Sequence, residues 1–298
     1  MLVVFMLLIS MMIILLTYNL LNQKINKKYN LVAYVLNAFF LTLFIALFSL
    51  ETRASSDNQI LSTSVVMAQK PTRENDYSYK NVENDKEWKV NIKEQVLLDA
   101  PIIKQYPELP RGCEVTSLAM LLQHANVKID KMELAELVKK DPTVFRKESG
   151  KVYFGNPNDG FVGDMYNLKK PGYGVYHKPI KELAERFLPG EIQDITGRDF
   201  ESVKAYLSAG YPVWIISNAT YKELDPSSFQ VWDTPTGQVK ITYREHSVLI
   251  TGYDTNYIYF NDPISGEKNR KAPIQDFIRA WEQMGSQAIT IGPKLNLN

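Results

Sequence analysis

Two long uncharged stretches open this chain, and they fix where everything after them can go. Residues 1–21 (MLVVFMLLISMMIILLTYNLL) contain no charged side chain and are about long enough to cross a bilayer as a helix. Residues 31–50 (LVAYVLNAFFLTLFIALFSL) form a second such run. Between them lies the loop 22–30, NQKINKKYN, with Lys24, Lys27 and Lys28. Positive loops stay on the cytoplasmic side, so both outer ends of this expected transmembrane hairpin face outward. A cleaved signal peptide is the rival reading, with the lysines as its basic region and 31–50 as its apolar region. That run is long for a signal, and the nearest small-residue site, Val66-Met67-Ala68, lies well downstream. Both readings export the remainder, and the anchored one places it outside the cell membrane.

Of the 298 residues, close to 250 remain after the hairpin, enough for one good-sized core and a tether. The formal net charge of +1 gives no basic face of the kind a nucleic-acid partner needs. Residues 51–94 are polar, without a sustained helical or strand period, and read as an extracellular linker. The folded domain is expected over 95–292, with a short tail at 293–298.

Within the domain, the Pro- and Gly-containing loop KQYPELPRGC precedes apolar positions Val115, Leu118, Ala119, Leu121 and Leu122. Their helical spacing predicts a helix starting at or just after Cys113. KMELAELVKKD, IKELAERFL, RDFESVKAYLSAG and QDFIRAWEQM predict four more. Residues 150–176, rich in Gly, Asn, Pro and Tyr, predict a long irregular excursion. From Pro212 the pattern turns strand-like, in PVWIIS, QVKITYREHSVLITGY, YIYF and SQAITI. Helices first and antiparallel strands later point to an α+β domain with two subdomains rather than to βαβ units.

The chain has one cysteine, so no internal disulfide can form. A lone Cys is ordinarily a small buried hydrophobe. Cys113, however, stands where a loop runs into a helix, where unpaired N–H groups and the dipole favour thiolate and can hold an oxyanion. A thiolate nucleophile needs an imidazole, and the chain offers His124, His177 and His246. His124 would lie about 16 Å along the same helix, too far for direct partnership. His177 falls in a loop before a helix and reads as a surface residue. His246 opens the strand HSVLITGY, and folding at Asp254-Thr255-Asn256 brings Asp262 within a residue or two of it across a hairpin. Asp262 could then fix the imidazole tautomer, although Asn-Asp-Pro is also ordinary turn chemistry. Gln105, eight residues before Cys113, could offer its amide to an oxyanion, although a loop glutamine is commonly just solvated.

YPELPRGCEVTSLAMLL, HSVLITGYD and YFNDP together resemble the C39-like peptidases, relatives of the papain-like domains that process double-glycine leader peptides. The resemblance covers roughly 96–292. It implies a papain-like fold in which a helical subdomain precedes an antiparallel sheet, with Cys113 as nucleophile, His246 as general base, Asp262 as orienting acid and Gln105 as oxyanion residue. Papain-like enzymes usually carry that glutamine about six residues before the cysteine, so the spacing here departs from the pattern. No transporter or ATPase segment is attached, which removes the main reason to expect leader peptides as substrates.

The resulting expectation is a cell-surface cysteine peptidase acting on peptide or protein substrates. Tyr153, Tyr166, Tyr173 and Tyr176 would line its groove or simply pack the excursion. A cell-wall amidase or an acyl- or peptidyl-transferase would use the same triad, and a non-catalytic binding module would need none of it. No HExxH, paired-Cys metal spacing, GxSxG elbow or phosphate-binding glycine loop occurs, and nothing in the sequence calls for a cofactor or metal.

Overall fold

The computed structural model describes residues 90–295, together with Ala38 and Phe40. The apolar runs at 1–21 and 31–50, apart from those two residues, and most of the linker lie outside the described residues. Among the described residues no helix is long and apolar enough to cross a membrane.

The first half of the domain carries β1 (Val96–Leu97), α1 (Cys113–His124), α2 (Lys131–Leu137), β2 (Lys140–Asp141), β3 (Arg146–Glu148), β4 (Lys151–Tyr153), β5 (Phe161–Val162) and α3 (His177–Glu185). The second half carries β6 (Ile192–Asp194), α4 (Phe200–Ser208), β7 (Val213–Asn218), β8 (Gln230–Thr234), β9 (Gly237–Ile241), β10 (Glu245–Tyr253), β11 (Tyr257–Asp262), β12 (Glu267–Pro273), α5 (Ile274–Gln283) and β13 (Ala288–Ile291). The main sheet runs β12-β11-β10-β7-β13-β6, with β1 added against β10, and its pairings are antiparallel. A smaller sheet, β3-β4-β8-β9, stands apart from it, and β2 pairs with β5.

Strand alternation splits the core in two. Trp214, Ile216 and Leu249 pack with α1, α2 and α3, whereas Val213, Ile215, Val248 and Ile250 pack with α4 and α5. Helices therefore cover both faces of the sheet. The expected separation into a helical and a sheet subdomain is corrected: chain order does not reveal which face a helix takes. The strand-like stretch 238–253 forms two strands, β9 and β10. Thr242 interrupts it, its carbonyl accepting from Glu245 N–H at 3.1 Å and its hydroxyl from Arg244 N–H at 3.2 Å.

The helices begin where local chemistry supports them. Asp130 caps α2 by accepting from Met132 and Glu133 N–H, and Asp199 caps α4 by accepting from Ser202 N–H. α1 starts without a side-chain cap, after Gly112. A Cβ at Gly112 would lie 2.6 Å from Leu109 Cβ, so the tight turn into the helix admits no larger residue there. Residues 113–122 of α1 are all buried, and its polar members are accommodated by hydrogen bonds. Thr116 Oγ1 donates to Gly112 O at 2.6 Å, and Ser117 Oγ donates to Ser247 O on β10 at 3.1 Å.

Chain beyond the expected 95–292 limits also packs. Lys93 N–H donates to Ser208 Oγ, and Leu295 is buried in the α4–α5 side of the core.

Trp214, fully buried on β7, donates from Nε1 to Glu114 O in the first turn of α1 at 2.9 Å. Replacing it with Phe keeps most of the packing but leaves that carbonyl without its donor. We expect Trp214→Phe to lower stability by about 1–3 kcal/mol in urea unfolding. An unchanged midpoint would mean that this bond does not hold the head of the helix.

Candidate active site

Cys113 is the first residue of α1 and is 7 % exposed. The loop before it is tied down on two sides. Arg111 N–H donates to Met165 O, and its guanidinium donates to the carbonyls of Asp164, Asn167, Leu168 and Lys170 at 2.9–3.3 Å. Gln105 N–H donates to Pro263 O at 2.9 Å, linking the same loop to the residue after Asp262.

His246 and Asp262 meet as the hairpin predicts. The β10–β11 register pairs Leu249 with Asn261, and His246 Nε2 lies 2.9 Å from Asp262 Oδ1. Both side chains are 1 % exposed. An ionised carboxylate only accepts, so the bond places the proton on Nε2 and leaves a lone pair on Nδ1. Nδ1 is buried and has no hydrogen-bond partner among the described residues. Asp262 is held in turn by Arg270, whose NH1 donates to Oδ2 at 2.6 Å, and by Ile264 N–H. Burial alone would raise its pKa. The His246 bond and charge, with the Arg270 bond, outweigh burial and hold the carboxyl below the ordinary range.

Tyr221 covers this pair with its ring centroid 6.2 Å from His246, and Arg270 stacks on the tyrosine at 5.0 Å. Its φ of 53° lies in the left-handed region, which a bulky residue adopts only when its surroundings enforce it. Here the ring is fixed between Phe260, at 4.5 Å, and Phe277, at 6.0 Å.

The thiol has different neighbours from those the sequence suggests. Cys113 Sγ donates to Glu114 Oε2 at 3.3 Å and not to His246. Sγ and carboxylate oxygens of Glu114 and Glu245 all lie within 4.8 Å of one another. Burial, then the charges of Glu114 and Glu245, push the thiol up, while the Ser247 N–H works the other way. The expected lowering by the helix N-terminus is therefore corrected: desolvation and two adjacent acids outweigh the dipole. Glu245 and Ser247 share one face of β10 and His246 takes the other. The two halves of the site thus adjoin at the His246–Ser247 peptide.

Three donor atoms this close could hold an ion by distance alone. Both Glu114 oxygens, however, already accept internal hydrogen bonds, from Val175 N–H at 2.7 Å and from the thiol.

Gln105 is buried at 1 % exposure, not solvated, and its Nε2 donates to Pro110 O at 3.1 Å. That contact engages one amide hydrogen within the loop itself, and Oε1 has no partner among the described residues. His124 Nε2 contacts Gly210 O, remote from Cys113 along α1. His177 is not a free surface residue: it opens α3, and its Nδ1 sits 2.8 Å from Asp194 Oδ2. Tyr173 and Tyr176 are buried with their hydroxyls 2.9 Å apart, while Tyr166 is exposed and Tyr153 lies under Arg146.

Glu114, Glu245, Arg270 and Tyr221 escape the sequence reading. For the two acids a signal exists, because they adjoin Cys113 and His246 in the chain. Strand alternation could have turned Glu245 toward α1. For Arg270 and Tyr221 no local signal distinguishes them from other surface and core residues.

A thiol heads a buried helix, and a buried His–Asp pair stands on the antiparallel sheet beside it. The Peptidase_C39 like family matches residues 97–289, and the chain belongs to that family. It is 48% identical over 185 residues to the uncharacterized protein YvpB of Bacillus subtilis (strain 168), covering 62% of this chain and 70% of that one. A crystal structure assigned to the C39-like peptidases, from Bacillus anthracis, superposes with a TM-score of 0.63 at 46% identity, over 68% of this chain and all of that one.

A depressed carboxyl stabilises the fold above its unfolded-state pKa and loses that contribution as pH falls through the folded value. The contribution of Asp262 is thus complete near neutrality and drains away below about pH 4. Thermal unfolding of the wild type should lose more stability on acidification through that window than Asp262→Asn does. Parallel curves would show that the carboxylate is not held by His246 and Arg270.

Proposed function

We propose that this protein is a cysteine peptidase that hydrolyses peptide bonds of exported or cell-surface peptides. The observation that carries the reading is the buried His246–Asp262 bond, which fixes the Nε2–H tautomer and leaves Nδ1 as a base on the residue before Ser247, whose N–H faces the Cys113 sulfur. Membership of the C39-like peptidases supports the same reaction class.

In this mechanism the neutral thiol is the resting form, because its surroundings oppose an isolated thiolate. A substrate carbonyl approaches Sγ at the head of α1. His246 Nδ1 accepts the thiol proton as sulfur attacks, and Asp262 stabilises the imidazolium through Nε2–H. The first N–H groups of α1 face the developing oxyanion, and the Gln105 amide could join them if its bond to Pro110 O is exchanged for substrate. The imidazolium then protonates the leaving amine, and water hydrolyses the thioester by the reverse path. The uncharged segments at 1–21 and 31–50, with lysines only between them, support a membrane-anchored location with the domain outside the cell.

Full-length protein should cleave members of a quenched fluorescent peptide library, and Cys113→Ala and His246→Ala should each lower the rate by about a thousandfold or more. Cleavage that survives Cys113→Ala would remove the peptidase reading. Acyl transfer to an added amine without hydrolysis would instead make the same triad a transferase.

A further inference from the structure

Two carboxyl groups lie buried beside the candidate nucleophile, and the proton relay above does not use them. Glu114 is wholly buried; its Oε1 accepts from Val175 N–H and its Oε2 from the Cys113 thiol. Glu245 approaches from β10, and its buried Oε1 has no hydrogen-bond partner among the described residues. The two acids converge on Gly174. A Cβ there would lie 2.2 Å from Glu114 Oε1 and 3.2 Å from Glu245 Oε2, so only glycine leaves room for both. Tyr173 and Tyr176, from the segment leading to α3, face the same acids with hydroxyls bonded to each other. On β7, Glu245 is paired with Asn218, which does not titrate, and the His246 ring takes the opposite face of β10. Among the described residues, no cation contributes to the electrostatics of either carboxyl.

Two carboxylates this close in a desolvated site cannot both ionise cheaply, so they retain a proton between them at a pH where lone acids have lost theirs. We propose that Glu114 and Glu245 form a proton-sharing pair that positions and gates the Cys113 thiol, holding sulfur more firmly in its neutral form as the pair loses its last proton. The pair rests on the reading of Cys113 as nucleophile. Its consequence is a thiol whose reactivity rises less steeply with pH than that of an ordinary cysteine. Glu114 is pushed up to about 7, burial being the first cause, and Glu245 is also raised, by burial and then by Glu114. The second negative charge thus arrives at a higher pH than lone carboxyl groups need to ionise. Glu114 and Glu245 act through sulfur and are positioning residues.

The test is the rate of iodoacetamide alkylation of Cys113 in full-length protein from about pH 5 to pH 9, in wild type, Glu245→Gln and Glu114→Gln. Each amide removes one of the two charges. Both variants should therefore alkylate about tenfold or more faster than wild type at the alkaline end and converge with it toward the acid end. A second readout needs no thiol chemistry. A carboxyl raised in the folded state contributes stability below its unfolded pKa and loses it as pH rises through the folded value. Wild-type Tm should therefore fall between about pH 5 and pH 8, and Glu245→Gln should flatten that fall. Alkylation profiles parallel to wild type at every pH, or an unchanged slope of Tm, would overturn the pair. If the signature appears but no peptide is cleaved, the pair stands and the peptidase reading falls. If peptides are cleaved and the profiles are parallel, only the pair falls.

Discussion

The site depends on how α1 is held against β7 and β10. Trp214 fixes the first turn through the Glu114 carbonyl, and Ser117 ties the second turn to the Ser247 carbonyl. Because the helix is buried along its first ten residues, neither bond competes with water, and each polar group would be costly to leave unpaired. These contacts bring the thiol to the peptide that follows His246. The loop before Cys113 adds a second constraint, since Arg111 fastens it to residues 164–170 and Gln105 fastens it to Pro263. Cys113, His246 and Asp262 come from three separate stretches of chain, yet each is anchored within a residue or two of another.

Around that frame the electrostatics divide into two regions. On one side Asp262 is ionised, bonded to His246 and Arg270, and enclosed by Tyr221. On the other, Glu114 and Glu245 are crowded together without a cation among the described residues and favour neutral forms of themselves and of Cys113. An imidazole with its second nitrogen open sits one residue before Ser247, whose N–H faces a thiol that resists ionising alone. Such a pair suits proton transfer in step with attack, more than a stable thiolate waiting for substrate.

Much of this arrangement is legible in the sequence because it is written in local periodicity. The apolar spacing after Cys113 locates α1, and the run HSVLITGY, the turn at 254–256 and YIYFND locate a hairpin whose register follows from the turn. The hairpin brings Asp262 to His246 without any knowledge of the rest of the fold. What stays hidden depends on contacts between distant segments. Which helices cover which face of the sheet is decided by packing. The strands β3, β4 and β8 are short and largely exposed or half-buried, with no alternation to mark them. The ionisation of Cys113 is misjudged from sequence because a helix terminus is visible there, whereas burial and the approach of Glu245 from another strand are not.

Catalysis as proposed requires the Cys113 sulfur and the His246 imidazole to work as one unit across the His246–Ser247 peptide. A bifunctional reagent such as 1,3-dibromoacetone, which alkylates a thiol and then an adjacent imidazole, tests it directly. Peptide mapping of the treated full-length protein should find Cys113 bridged to His246 through Nδ1. Cys113 carrying the reagent singly, or bridged to Glu114 or Glu245 instead, would contradict the account.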